Sequence, residues 1–204
     1  MNAVKKRAAA PPSRRLRVPV QYVVRVTLVG VHPPVWRRVR VPDVFTLEQL
    51  HRVIQLAMGW LDCHLYLFRV GERSFERPDP ESEGERASDT MLYELKLSPG
   101  ARLEYLYDFG DDWLHHLELE AVLPMPDDGA YDWTPRILAG ERAGPPEDVG
   151  GPPGYAHFLD ALRNPAHPEH SHYASWAPGG FDAERFDLRA VDSALTLARG
   201  WGAI

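Results

Sequence analysis

Two stretches of this chain alternate apolar and polar residues so regularly that strands with one buried face are the natural reading: QYVVRVTLVGV (21–31) and WLHHLELEAVL (113–123). Successive side chains of a strand point to opposite faces, so a period of two cannot serve a helix. In the first stretch Val24, Val26 and Leu28 share a face. In the second, Trp113, His115, Leu117, Leu119, Ala121 and Leu123 share one, and Leu114, His116, Glu118, Glu120 and Val122 form a wetter one. Val24, Val26, Leu28, Leu117 and Leu119 are therefore expected to be buried, with Arg25 and Glu118 exposed. After a break at HPP, VWRRVRVP (35–42) resumes the alternation with Val35, Val39 and Val41 on one face, predicting a hairpin with the first strand. Arg37 falls on that apolar face, which predicts incomplete burial there.

A helix over 46–58 follows. Thr46 and Gln49 have the spacing of a capping box, and Leu47, Leu50, Val53, Ile54, Ala57 and Met58 recur at helical intervals before Gly59. CHLYLFRV (63–70) reads as a strand turned by Gly71 and Glu72 into RSFE, and the acidic, proline-broken 77–90 as a surface loop. TMLYELKL (90–97) suits a short helix and ARLEYLY (101–107) a strand. PMPDDG and RILAGERAGPPEDVGGPPGY (136–155) read as irregular, and helical stretches near 155–163, 168–176 and 187–199 close the chain. The fold class this predicts is α+β. A mainly antiparallel sheet from 20–42, 63–76 and 101–123 is packed by the 46–58 helix, with a C-terminal helical segment on another face or edge.

At 204 residues the chain supports one substantial core. It holds no apolar run long enough for a membrane span, and its basic N-terminus lacks the apolar stretch of a secretory signal. Cys63 is the only cysteine, which excludes an intramolecular disulfide and any multi-cysteine zinc site. A cytoplasmic protein is the expectation. Six of the 23 basic residues (Lys5, Lys6, Arg7, Arg14, Arg15 and Arg17) lie in the acid-free segment 1–18, leaving 17 against 29 acidic ones, a balance of −12, over 19–204. The organisation expected is a disordered basic tail, 1–18, ahead of a single domain, 19–204. A body that acidic repels phosphate backbones, so contact with nucleic acid falls to the tail.

The chemically densest segment is YDFGDDWLHH (107–116). Gly110 permits a positive φ and the aspartates suit a tight strand-to-strand corner, with Tyr107, Phe109 and Trp113 anchoring it in the core. That corner is the first reading, ahead of a binding site. Asp108, Asp111 and Asp112 repel one another, and a divalent ion shared by Asp111 or Asp112 with His115, or with His64 of the neighbouring strand, would relieve the repulsion. Glu147 and Asp148 lie in the glycine- and proline-rich segment, where a long ordered loop would place binding residues. HPEHSHY, with His167, His170 and His172, reads as a solvated helix start. DFG at 108–110 matches a kinase triplet, but the phosphate loop, HRD and APE that accompany it are missing, as are the P-loop, HExxH and GxSxG.

The ordered succession PPVWRRVRVP, AMGWLDCHLYLF, YDFGDDWLHH, AGERAGPPEDVGGPPGY and GGFDAERFDL resembles the plasmid pRiA4b ORF-3-like family over about residues 20–190. That family includes TnpR-like passenger proteins of mobile elements. The resemblance implies no established reaction, and Ser13 in the tail is a poor candidate for the nucleophile of a serine resolvase. Relatives often carry histidine at the position of Tyr66 and cysteine at that of Gly144. If those joined His64 and His115 around a metal in relatives, this chain has lost two ligands. The leading expectation is a non-enzymatic binding or accessory module with no required cofactor and an unidentified ligand, a protein partner included. Its candidate binding residues are Asp108, Asp111, Asp112, Trp113, His115, His64, Glu147 and Asp148. A metal-dependent hydrolase or nuclease using Asp108, Asp111, Asp112 and His115 is the alternative.

Overall fold

The computed structural model describes residues 17–77, 84–125, 132–177, 179–200, 202 and 204. The two alternating stretches become neighbouring central strands, β1 (Val20–Leu28) and β7 (Trp113–Pro124), of one eight-stranded sheet. The remaining strands are β2 (Trp36–Pro42), β3 (Tyr66–Val70), β4 (Arg73–Glu76), β5 (Glu85–Arg86), β6 (Arg102–Tyr107) and β8 (Arg136–Glu141). Their order across the sheet is β5-β4-β3-β6-β7-β1-β2-β8, antiparallel except for the short β4/β5 pair. The α+β reading holds. Val24 pairs with Leu119 and Val26 with Leu117, and these four, with Leu28, are buried as the alternation predicts. No helix among the described residues is long and apolar enough to cross a membrane.

Helix α1 (Leu47–Met58) covers the inner face through Leu47, Leu50, Val53, Ile54 and Ala57. Its capping box forms as expected: the Gln49 amide donates to Thr46 Oγ1 at 3.2 Å and the Thr46 amide to Gln49 Oε1 at 2.9 Å. Gly59 closes the helix at φ 88°. Replacing Thr46 by alanine leaves an end amide without its acceptor and should cost about 1 kcal/mol in urea melts. An unchanged midpoint would show that the cap is redundant. Helices α2 (Gly151–Arg163), α3 (His170–Trp176) and α4 (Leu188–Gly200) complete the fold, with α4 against β8 and α1.

Several local expectations need correction. Residues 136–141 are not irregular but form the edge strand β8, which pairs with β2, and helix α2 begins inside the glycine-proline segment at Gly151. Residues 92–95 make one turn of 3-10 helix. Arg25 is half-buried because its guanidinium lies 4.0 Å over the Trp36 ring, and Glu118 is half-buried beside Arg102. Arg37 does not hold its face open. It is buried (1% exposed), donating from Nε to the Ala57 carbonyl at 2.7 Å and from Nη1 to those of Trp36 and Glu141 at 2.8 and 2.9 Å. Carbonyls at a helix C-terminus are a favourable place for a cation. Residues 1–16 of the expected tail and 78–83 of the expected loop lie outside the described residues. Arg17, at the end of that tail, pairs with Asp43 and stacks 4.0 Å over Tyr93.

Candidate functional site

Three connections meet at one end of the sheet: residues 59–65 between α1 and β3, 108–112 between β6 and β7, and 142–150 between β8 and α2. Hydrogen bonds tie them together. The Trp60 indole donates to the Pro145 carbonyl at 2.9 Å, and the Leu61 amide to Glu147 Oε1 at 2.8 Å. The Tyr107 hydroxyl donates to the same Glu147 oxygen at 3.0 Å and accepts the Cys63 amide at 3.2 Å. Burial and the nearby Glu147 carboxylate raise the Tyr107 pKa, so the phenol stays protonated and keeps that role. The Gly150 amide donates to Asp111 Oδ2 at 3.0 Å. Gly151 then passes so close that a Cβ there would lie 2.3 Å from the Asp111 carbonyl.

The corner is tight, but glycine is not what turns it. Asp108 and Asp112 adopt the left-handed conformation, at φ 57° and 55°, whereas Gly110 does not. Aspartate tolerates that region because its short carboxylate bonds local amides. Here Asp108 Oδ1 accepts the Gly110 amide at 2.9 Å. Trp113 packs inward as expected, while Phe109 points out and is half exposed, so it does not anchor the corner.

The second Asp108 oxygen faces His64. His64 Nε2 lies 3.6 Å from Asp108 Oδ2 and 3.1 Å from Asp148 Oδ1, yet the alignment makes neither a hydrogen bond. The nitrogen is buried without a hydrogen-bond partner, as is Glu147 Oε2. Ligand atoms of His64, Asp108 and Asp148 all lie within 4.8 Å of one another, as do those of Cys63, His64 and Glu147. In a tetrahedral site with bonds of 2.0–2.2 Å, donor atoms stand roughly 3.3–3.6 Å apart, close to the spacing found here.

Four of the candidate residues are therefore brought together: His64, Asp108, Glu147 and Asp148. The others go elsewhere. Asp111 holds the Gly150 amide, Asp112 is exposed at the turn, and Trp113 belongs to the core. His115 is fully buried between Trp60 and Tyr105, with Nδ1 3.3 Å from the Tyr105 carbonyl, and no carboxylate among the described residues pairs with it. Its place on the Trp113–Leu117 face already signalled this. Desolvation, the largest influence, holds its pKa down to about 4, so the ring is neutral. Cys63, beside His64, offers a metal ligand in the sequence but its spacing fixes no partner, and Tyr107 reads only as a core anchor; nothing in their local sequence marks either as a neighbour of Glu147. The Cys63 thiol is pushed up from its ordinary value, chiefly by desolvation, which disfavours a thiolate nucleophile.

Tyr66 stacks on the buried His51 with ring centroids 3.8 Å apart. A Cβ at Gly144 would lie 2.1 Å from the Met58 carbonyl oxygen. Cysteine at 144 would thus require the backbone to shift, and the site in this chain is built without these two positions.

The family model described as plasmid pRiA4b ORF-3-like protein matches residues 20–190. The chain belongs to this family. A relative, "Uncharacterized protein y4hQ" of Sinorhizobium fredii (strain NBRC 101917 / NGR234), is 37% identical over 184 residues, covering 87% of this chain and 92% of its own length. The crystal structure of MM3350, a protein of unknown function from Methanosarcina mazei Go1, matches with a TM-score of 0.75 at 30% identity over 85% of this chain and 97% of that one. The pRiA4b ORF-3-like fold is thus shared with a protein to which no function is assigned.

Proposed function

We propose that the chain is a cytoplasmic, non-enzymatic binding module, and that the three-loop corner holds a divalent cation of the zinc class through His64, Asp108 and Asp148, with Glu147 and Cys63 adjacent. One observation carries the reading: the buried His64 Nε2 lies within 3.6 Å of two carboxylates from separate connections without a hydrogen bond to either. A shared cation would use the nitrogen lone pair and relieve the repulsion between the acids. The hydrolytic reading draws less support, since of Asp108, Asp111, Asp112 and His115 only Asp108 belongs to the group. Association with mobile DNA rests on the family likeness alone, and the acidic body leaves any nucleic-acid contact to the basic tail.

Thermal melts with zinc chloride and with chelator test the site. Zinc at one hundred times its Kd should add about 2.7 kcal/mol to the stability of the folded protein. His64→Ala should remove that response, whereas Asp111→Asn should retain it. His157, His167 and Glu169 form a second surface group with ligand atoms within 4.8 Å, so His157→Gln serves as the control for metal bound there. Coincident melts with and without zinc, or an undiminished response in His64→Ala, would remove the proposal.

A further inference from the structure

Adjoining two of the connections that build the corner, a cleft of 520 Å³ opens between the C-terminal end of α1, the 143–146 segment and the start of α4. Its walls are largely apolar, with Met58, Pro145, Trp176, Phe181, Phe186 and Val191 among them. Arg37 also lines it. A guanidinium offers five N–H donors. In Arg37 the Nε donor and both Nη1 donors meet the Ala57, Trp36 and Glu141 carbonyls, leaving Nη2 with no acceptor among the described residues. No carboxylate among them pairs with this side chain, although it is almost wholly buried. Phe186 covers the guanidinium at 4.2 Å from its ring centroid, an apolar stacking contact that supplies no formal counter-charge.

A buried cation lacking a carboxylate is costly. The Ala57 carbonyl at the α1 end and the strand carbonyls of Trp36 and Glu141 offset part of that cost, and desolvation still pulls the Arg37 pKa down to about 10. The two acids of the cleft are engaged elsewhere. Asp182 Oδ1 accepts the Glu184 amide at 3.0 Å, while Asp187 Oδ1 accepts the Ala190 amide at 3.0 Å and its Oδ2 faces Arg185 at 3.5 Å. They also set an upper limit on ligand charge, since a polyanion would meet both near the mouth. The volume lies in the range of small-molecule sites.

We propose that this cleft binds a small monocarboxylate with an aliphatic or aromatic body, its carboxylate accepting from Arg37 Nη2 and its body lying against Phe181, Trp176 and Val191. The site borders the same 59–65 and 142–150 connections as the cation corner but uses none of His64, Asp108, Glu147 or Asp148, and it needs no metal. Either proposal can fail while the other stands.

Isothermal titration of the full chain with octanoate and 3-phenylpropionate, in chelator, tests it. At least one should bind at millimolar concentration or better. The matching amides should bind at least ten-fold more weakly, and octylamine should not bind. Arg37→Met should abolish carboxylate binding. Should that variant fail to fold, Ala190→Trp places an indole in the cleft from an exposed position of α4 and leaves Arg37 intact. That variant should melt like the parent protein and lose the carboxylate. Absence of binding by both acids, equal affinity for acid and amide, or undiminished binding in Ala190→Trp would each overturn the assignment.

Discussion

Trp113→Ala should destabilise the protein by about 3–5 kcal/mol, the range for removing a large aromatic from a packed core. Total stabilities are of the order of 5–15 kcal/mol, so a loss of this size leaves a marginal fold. The indole is fully buried, stands opposite Tyr107 in the β6/β7 ladder and lies 6.0 Å from the Trp60 ring. Those two neighbours carry the bonds to Glu147 and Pro145, so the cavity would also loosen the cation corner. Trp113→Phe should cost much less. It restores most of the packing and removes an indole N–H that is buried without a partner. Urea unfolding of both variants measures the difference. Equal costs for alanine and phenylalanine would mean that the packing of this indole is not what holds the corner.

Stability should also fall steeply as the solution is acidified below neutrality. His51 and His115 are fully buried, and desolvation, the largest influence on each, holds both pKa values at about 4. In the unfolded chain each histidine titrates near 6.5. Above about pH 6.5 both states are neutral and stability is at its full value. Between about 6.5 and 4 the unfolded chain takes up protons that the folded protein refuses, at a cost near 1.4 kcal/mol per pH unit for each ring. The two together should give nearly 3 kcal/mol per unit, and the contribution should level off below about pH 4. His51 is locked by the Tyr105 hydroxyl at 2.7 Å and Asp62 at 2.8 Å. His115 has the simpler surroundings, so His115→Gln is the variant of choice and should halve the slope. Denaturant melts at intervals from pH 8 to 4.5 measure it above most carboxylate titration. A flat profile between pH 7.5 and 5 would contradict neutral burial of both rings.

The corner at 107–113 separates what local sequence expresses from what it cannot. Its tightness and the burial of Trp113 were legible because turn chemistry and strand alternation act between near neighbours. Which residue turned it was not, since Asp108 and Asp112 take the left-handed positions while the glycine between them does not. Arg37 shows the opposite case. A cation on an apolar face reads locally as a fault in burial, and only the carbonyls of Ala57 and Glu141 make it a satisfied core residue. Likewise RILAGE reads as irregular because a short edge strand with two small residues has little periodicity of its own. Pairing with β2 makes it a strand.

By itself the sequence determined the α+β class, the central strands and their buried faces, the capped helix, the acidic body and membership of the pRiA4b ORF-3-like family. The first four follow from periodicity, capping and composition, which act over a few residues or over the chain as a whole, while family membership follows from the ordered succession of its specific motif blocks. Only the tertiary structure decided which candidate residues meet. Leu61 and Glu147 are 86 positions apart, Tyr107 and Glu147 are 40 apart, and Asp111 and Gly150 are 39 apart, yet each pair is joined by a hydrogen bond. Sheet order brings those loops to one end, and β-pairing register turns His115 into the core and away from the acids. Spacing along the chain carries no information about contacts made by separate loops, because their distance is set by the packing of the elements between them.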